Sequence, residues 1–437
     1  MNPRAPAKPT VNRKATRPAA ASEARRVKPN RTQRAQGSAD AGSHTRSVDR
    51  RLTDALEAWF SQHARAYPWR AVTAGKRNAY HCLVLEAMAQ QTQLSRVLER
   101  LPAFLVRFPT VESLARASED DVLSAWRGMG YYRRARNLRH AAILVCEKHA
   151  GALPRDIESL RALPGVGRYT AGAIASMAFG DAAPIVDGNV ARVLLRIEGR
   201  DASPADKAVQ DGLWQSAARL VTAAANPGVF NEALMELGAT VCLPPPASPK
   251  CDVCPWQDSC EARRQGRQSE IPRPKPAAKR RVLHCASLVV LSGKRGQEQV
   301  LLQKRPDKGL WAGLWAPPTL EDDRRAPGAS ALAALLGIKP RDANRPILAG
   351  SFTFTTTHRD VRFKVYAMTV PASTSINTAA QRAVWRRLSD DSHAAPGVSN
   401  AHRRVIEIAL QALTATGRST QASRTDLSAP RITRPGS

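Results

Sequence analysis

Three groups of residues in this sequence have types and spacings that could do chemistry. Cys242, Cys251, Cys254 and Cys260 form a C-x8-C-x2-C-x5-C run. Four thiols in so short a stretch rarely serve as unrelated core residues, so the run points to metal ligation. Structural zinc favours two close pairs, and here only Cys251 and Cys254 pair closely, so at this level both zinc and an iron-sulfur cluster stay open. The second group centres on Glu86, the one carboxylate in the apolar run Leu83-Val-Leu-Glu-Ala-Met-Ala-Gln-Gln-Thr-Gln. Read as a helix, the run places Glu86, Gln90 and Gln93 on one face. A carboxyl among apolar neighbours has its charged form disfavoured, so its pKa rises into the range of a proton donor at neutral pH. A solvated helix face is the plainer alternative. The third group is Leu163-Pro-Gly-Val-Gly, set between a helical segment ending near Leu160 and another running from Tyr169 to Ala178. Gly165 and Gly167 allow a tight turn that presents backbone N–H groups. The helix after it adds its positive end, so a phosphate can be gripped without side chains and without reading sequence. Gly-x-Gly alone is otherwise an ordinary turn. Asp187 follows in Pro184-Ile-Val-Asp-Gly-Asn-Val, at the start of a helix expected over 188–197, where an aspartate commonly serves as N-cap.

These groups need elements to carry them, and the chain is long enough for two domains with tails. It has 437 residues, with 66 Lys plus Arg against 37 Asp plus Glu, giving a formal charge of +29 that favours a polyanionic partner such as nucleic acid. Part of that charge belongs to the stretch from Arg4 to Arg34, so charge alone decides little. Residues 1–48 read as a disordered basic tail, too poor in large apolar side chains to order themselves. Residues 49–261 carry apolar side chains at helical spacing, as in Leu52, Leu56, Trp59 and Phe60, and are expected to be mainly α. Proline-rich residues 262–281 read as a stiff linker. From 282 to 415 alternating and β-branched segments such as Val361-Arg-Phe-Lys-Val-Tyr-Ala mix with helical ones at 331–336 and 403–413, an α+β pattern. Residues 416–437 read as a second disordered tail. No apolar run is long enough to span a bilayer and no secretory signal is present, so a cytoplasmic protein with no membrane partner is expected. Seven cysteines in a reducing compartment argue against a disulfide framework, and Cys82, Cys146 and Cys285, outside the run, read as ordinary buried residues.

Taken together, the hairpin and Asp187, about twenty residues apart, resemble the pattern of the helix-hairpin-helix, or endonuclease III, superfamily of DNA glycosylases. Glu86-Ala-Met-Ala-Gln-Gln-Thr-Gln, Tyr67-Pro-Trp-Arg, Gly128-Met-Gly-Tyr-Tyr-Arg-Arg-Ala-Arg-Asn-Leu, Leu163-Pro-Gly-Val-Gly-Arg-Tyr-Thr-Ala-Gly-Ala-Ile and Val186-Asp-Gly-Asn-Val-Ala-Arg-Val-Leu look like the MutY-type adenine glycosylase family in order and spacing. The resemblance implies that Glu86 protonates the adenine ring and then assists water, and that Asp187 stabilises the oxocarbenium-like state. Tyr169 and Asn189 would support the site, while Gln90, Gln91, Tyr131, Gly165 and Gly167 would contact DNA. In the endonuclease III branch a nucleophilic lysine stands two residues after the last hairpin glycine. Tyr169 stands there in this chain, which implies a monofunctional enzyme. The cysteine run resembles the superfamily's 4Fe-4S loop, which normally has six rather than eight residues in its first gap. The longer gap falls in Leu243-Pro-Pro-Pro-Ala-Ser-Pro-Lys, expected to bulge from the surface.

Gly309-Leu-Trp-Ala-Gly-Leu-Trp-Ala-Pro-Pro after a strand resembles the family's Nudix-like recognition domain. Ser330-Ala-Leu-Ala-Ala-Leu-Leu-Gly lacks the carboxylates that hold magnesium in a Nudix hydrolase, so no diphosphate hydrolysis is expected. Thr357 and His358 match the last two residues of the family's Phe-Ser-His lesion-reading loop, with Thr356 in place of the Phe and Thr357 in place of the Ser. The expectation is therefore a mainly α helix-hairpin-helix glycosylase domain with an iron-sulfur cluster loop, plus an α+β Nudix-like C-terminal domain. It would be a monomer in the bacterial cytoplasm, near the nucleoid, acting on double-stranded DNA with adenine opposite 8-oxoguanine or guanine. An endonuclease III-like enzyme that cleaves the strand, and a non-catalytic DNA-binding or redox factor, are the alternatives.

Overall fold

The computed structural model describes residues 31–273, 280–293, 298–338, 345–371, 374, 376, 382–387 and 397–416, with 31–45 as backbone only. The expectations for residues 1–30 and 417–437 lie outside them. Twelve α-helices occupy the first part of the described chain: α1 (Arg31–His63), α2 (Ala79–Ala89), α3 (Leu94–Arg107), α4 (Val111–Arg116), α5 (Glu119–Ala125), α6 (Arg133–Lys148), α7 (Ile157–Ala162), α8 (Arg168–Phe179), α9 (Gly188–Ile197), α10 (Lys207–Ala223), α11 (Pro227–Thr240) and α12 (Glu261–Arg264). Their starts follow from local chemistry. Asn78, Thr110, Ser118, Asp156 and Asp187 each accept a backbone N–H from the first turn of the helix they precede. Helix α1 begins at Arg31, inside the segment read as a disordered tail.

Small residues let α8 sit at the centre of the bundle. Gly172 faces the Pro184 carbonyl so closely that a Cβ would collide with it, and α8 is buried from Thr170 to Ala178. Leu56, Val84, Met88, Phe104, Trp126, Leu138, Ile174, Leu194 and Phe230 fill the core around it. Helix α2, expected to run on to Gln93, ends at Ala89. Gln90 is its C-cap and Gln91 turns left-handed at φ 53°, so Glu86, Gln90 and Gln93 do not share a helix face. The stretch expected to be linker is folded as far as Ile271, because α12 and the fully buried Ile271 pack on the helical core, where Arg196 binds the Ile271 carbonyl at 2.7 Å.

The remaining described chain forms a mixed sheet of β1 (Arg281–Ser292), β2 (Gln299–Lys304), β3 (Trp315–Ala316), β4 (Thr319–Asp322), β5 (Ile347–Thr355), β6 (Arg359–Val370) and β7 (Ala383–Arg387). Its order is β3-β2-β1-β6-β5, with β4 on β1 and β7 on β2; β1 and β6 run parallel and the other pairs antiparallel. Side chains alternate between faces. Cys285, Val289 and Leu291 of β1 pack toward α14 (Asn400–Ala415), whereas Ala286, Leu288 and Val290 pack toward α13 (Ala329–Leu335). Leu314, from the loop before β3, is fully buried within the helical core, and Arg136 of α6 donates to the Ala312 carbonyl beside it. Cys82 and Cys285 are buried as expected, but Cys146 is only half-buried. Among the described residues no helix is long and apolar enough to cross a membrane.

Candidate active site

Glu86 lies on α2 with 7% of its surface exposed, and its pKa is pushed up to about 8. Burial is the main cause, followed by repulsion from Asp187 and then from Glu232. The apolar run made that direction legible; the second carboxylate neighbour was not anticipated. Glu232, on α11, is buried and clamped by Arg77 at 2.7 Å and Arg70 at 3.4 Å, while Glu236 one turn on holds Arg65 at 2.6 Å and Arg70 at 3.0 Å. The signal for it was the one that found Glu86: carboxylates in an otherwise apolar helix, here Glu-Ala-Leu-Met-Glu from Glu232. Tyr169, in the first turn of α8, donates its hydroxyl to Met235 Sδ at 3.0 Å. Burial, then the charges of Glu86, Asp187 and Glu232, hold its phenol well above the usual pKa, so it stays neutral. Helices α2, α8, α9 and α11 thus bring Glu86, Tyr169, Asp187 and Glu232 into one electrostatic unit.

Asp187 is an N-cap: its Oδ1 accepts the Val190 N–H at 2.7 Å and its Oδ2 accepts from Asn189 Nδ2 at 3.2 Å. The capping bond fixes the carboxylate whose field reaches Glu86, so the two readings of this residue coexist. Asn189 Oδ1 in turn accepts from Arg192 at 2.9 Å, and Arg192 also binds the carbonyls of Gly238 and Cys242 at 2.8 Å each. One helix turn later Arg196 donates to Cys242 Sγ at 3.2 Å. Helix α9 therefore joins the aspartate to the cysteine loop, a connection the sequence reading missed.

Cys242, Cys251, Cys254 and Cys260 line one cavity with Arg196. Burial raises the thiol pKa values of Cys251, Cys254 and Cys260, and each feels its cysteine neighbours; Cys254 is pushed to about 12. Among the described residues no group of three His, Cys, Asp or Glu is arranged to hold a single metal ion. Four thiols lining one cavity, only two of them closely spaced in sequence, form a donor set that fits an iron-sulfur cluster. Arg196, which lines the same cavity, has its Nη2 buried with no hydrogen-bond acceptor, which suits an anionic sulfur centre there.

The hairpin joins α7 to α8. Gly165 takes φ +82°, and a Cβ on it would meet Asn137 Cβ at 2.9 Å, so both conformation and space require glycine. Gly167 caps α8 without a side chain, leaving the first amides of that helix to outside acceptors. Gln90 is half-buried and ties α2 to this turn through the Gly165 carbonyl at 3.4 Å and Thr170 Oγ1 at 3.3 Å. Gln91 and Tyr131 are exposed and both left-handed, Tyr131 at φ 46°. Thr357 and His358 sit exposed at the tip of the β5–β6 hairpin, which Thr356 closes by bonding to Arg359. The Tyr131 hydroxyl is hydrogen-bonded to the Thr357 hydroxyl.

An acid kept protonated near neutral pH, a neighbouring carboxylate and a glycine hairpin that leaves the first amides of α8 open suit base excision from DNA. Residues 84–219 match the HhH-GPD superfamily base excision DNA repair protein family, and residues 289–407 match the NUDIX domain family. The adenine DNA glycosylase of Homo sapiens is 34% identical over 404 residues, covering 81% of this chain and 73% of the human protein; that of Rattus norvegicus is 36% identical over 400 residues, covering 81% and 77%. Solved structures that resemble the chain include a thermostable thymine-DNA glycosylase, with TM-score 0.44, 25% identity and coverage of 52% of this chain and 99% of the other. A trapped endonuclease III-DNA covalent intermediate has TM-score 0.42 and 23% identity, covering 51% and 98%. The chain belongs to the adenine DNA glycosylase family and is a base-excision DNA glycosylase acting on adenine.

Proposed function

We propose that this enzyme is monofunctional and removes adenine paired with 8-oxoguanine or guanine in duplex DNA, acting as a monomer on chromosomal DNA in the bacterial cytoplasm. The observation that carries the reading is Glu86: a buried carboxyl with its pKa near 8, next to a neutral Tyr169 rather than an amine. Phosphate rests on the hairpin at Gly165 and Gly167, Gln91 and Tyr131 enter the stack, and the adenine is extruded toward α2. Glu86 gives its proton to the adenine ring as the bond to the sugar breaks, and the electron pair of that bond leaves with the base. The Asp187 carboxylate stabilises the positive charge left on the sugar. Water then adds to the sugar carbon and returns a proton to Glu86, leaving free adenine and an abasic site. Asn189 holds Asp187, and the neutral Tyr169 supports the site without supplying a nucleophile. Thr357 and His358 read the opposite base from the 282–415 domain. Cys242, Cys251, Cys254 and Cys260 would hold a 4Fe-4S cluster, which when bound supplies four iron-thiolate bonds that cross-link the loop under α9.

The test is single-turnover release of adenine from duplexes that differ only in the opposite base, with borohydride present in a parallel reaction. Adenine release with no covalent adduct is expected. An adduct formed as fast as base release would instead assign the lysine-type, strand-cleaving mechanism, and no release would overturn the proposal.

A further inference from the structure

Arg134, the second residue of α6, has a guanidinium shared between two chain segments some forty positions apart, around residues 87–92 and 129–130. Its Nη1 faces the end of α2 and donates to the carbonyls of Ala87 at 3.0 Å, Met88 at 2.8 Å and Gln90. These are among the last carbonyls of a helix, which have no intrahelical partner and favour a cation. Its Nη2 donates to Thr92 Oγ1 at 2.9 Å and to the carbonyls of Met129 at 2.9 Å and Gly130 at 3.2 Å. The guanidinium also lies over the rings of Trp126 at 5.4 Å and Tyr131 at 5.7 Å. A helix cap alone uses one or two donors on one segment; this fork holds two.

The residues that follow the bound carbonyls explain the arrangement. Gln91 comes directly after Gln90, and Tyr131 directly after Gly130. Both are non-glycine residues in the left-handed region, which persists only where the surroundings over-determine it. Arg134 also gives its own backbone N–H to the Tyr131 carbonyl at 2.8 Å, and Trp126 Nε1 adds a bond to the Gly130 carbonyl at 3.1 Å. Each exposed left-handed tip is therefore pinned at its preceding peptide by one nitrogen of the same planar group.

We propose that Arg134 is a positioning residue that sets the distance and conformation of Gln91 and Tyr131, so that both enter the duplex together and extrude the adenine in one step. The inference rests on the reading above that these two residues enter the base stack. It assigns Arg134 no contact with the base or with the reacting atoms. A lysine keeps the charge but has one compact ammonium, which cannot bridge two segments with fixed geometry.

The experiment uses full-length wild type, Arg134→Lys and Thr92→Val, with 2-aminopurine placed beside the target adenine opposite 8-oxoguanine. Stopped-flow fluorescence reads extrusion, single-turnover release reads bond breaking, and both are normalised to active enzyme. For Arg134→Lys, extrusion is expected to slow on the order of 10- to 100-fold, the scale of a misplaced positioning group, while the pH midpoint of bond breaking stays at its wild-type value. A folded Arg134→Lys that extrudes at the wild-type rate overturns the proposal. So does a loss that vanishes on normalisation, since that marks a merely structural role. If Arg134→Lys does not fold, Thr92→Val decides. It removes one acceptor of Nη2 and is expected to slow extrusion by about 2- to 10-fold, the range for one hydrogen bond, with the fold intact and thermal stability lowered by no more than that bond's worth; unchanged extrusion overturns the proposal. A wild-type enzyme that releases no adenine would count against the proposed function instead, a separate result.

Discussion

Tyr131, on the loop before α6, and Thr357, on the β5–β6 hairpin, share a hydrogen bond between their hydroxyls, and both residues are exposed. The residue assigned to the base stack and the residue assigned to reading the opposite base therefore form one unit, built from elements more than two hundred positions apart. Tyr131→Phe keeps the ring and removes the bond. It should lower the ratio of adenine release opposite 8-oxoguanine to release opposite guanine by about 3- to 10-fold, the net value of one hydrogen bond. Thr357→Val should lower it at least as much, and the double variant should lose less than the sum of the singles. Additive losses would mean that the two hydroxyls act separately.

Glu86→Gln should retain binding to the adenine-containing duplex and lose on the order of 10²- to 10⁴-fold in single-turnover release, the usual contribution of a general acid-base. In the wild type the proton-donating form is present up to about pH 8, so release should fall as pH rises through that value. The linkage has a definite sign. Folding raises this pKa from 4.5, so its contribution to stability is full below about pH 4 and is lost as pH climbs toward 8. Glu86→Gln, which cannot ionise, should melt at a higher temperature than wild type at neutral and alkaline pH, with no difference near pH 4. Calorimetry across that range checks it, and a destabilised variant at pH 8 would contradict the buried-acid reading.

What could be read in advance was local. An apolar run isolates Glu86, a Gly-x-Gly turn sits between two helices, and Asp187 stands where a helix must start; each is fixed by a few adjacent residues. The helix expected over 188–197 begins and ends there for that reason. What could not be read came from contacts between distant segments. Arg134 takes the carbonyls of Ala87 and Met88, which would bond the amides of Gln91 and Thr92 if α2 ran on, and nothing within the run of α2 announces that partner. Glu232 acts on Glu86 only because α11 packs beside α8 and α9. Ile271 belongs to the helical core because burying it outweighs the extended tendency of the prolines around it.

Arg192 links Asn189 to the carbonyl of Cys242, so one substitution should disturb both the support of Asp187 and the cysteine loop. Arg192→Gln loses the fork of donors and leaves the buried Gly238 carbonyl without its partner. Release of adenine should fall by on the order of 10-fold or more, as Asp187 loses its support. Iron and sulfide content per chain should fall with it, because the Cys242 carbonyl loses its donor and only Arg196 still holds that cysteine. Full iron content with normal release would show that the loop and the aspartate are independent.

Leu314 is fully buried in the helical core although the chain around it belongs to the sheet, and Arg136 secures the same loop at the Ala312 carbonyl while pairing with Glu119 at 3.0 Å. Truncating a buried leucine costs about 2–5 kcal/mol through lost transfer energy and the cavity left behind. For Leu314→Ala that cost falls on the contact between the helical core and the sheet rather than within either. The helices carrying Glu86 and Asp187 keep their own packing, so adenine release opposite guanine should stay within about 3-fold of wild type, a change worth less than 1 kcal/mol. The Tyr131–Thr357 contact depends on how the sheet is seated, so the advantage of 8-oxoguanine over guanine should shrink toward that of a chain lacking the hydroxyl pair. Release on the two duplexes, measured beside a thermal melt, separates the cases. Equal losses on both would place Leu314 in the stability of the catalytic helices, and a loss confined to 8-oxoguanine would place it in the seating of the reading hairpin.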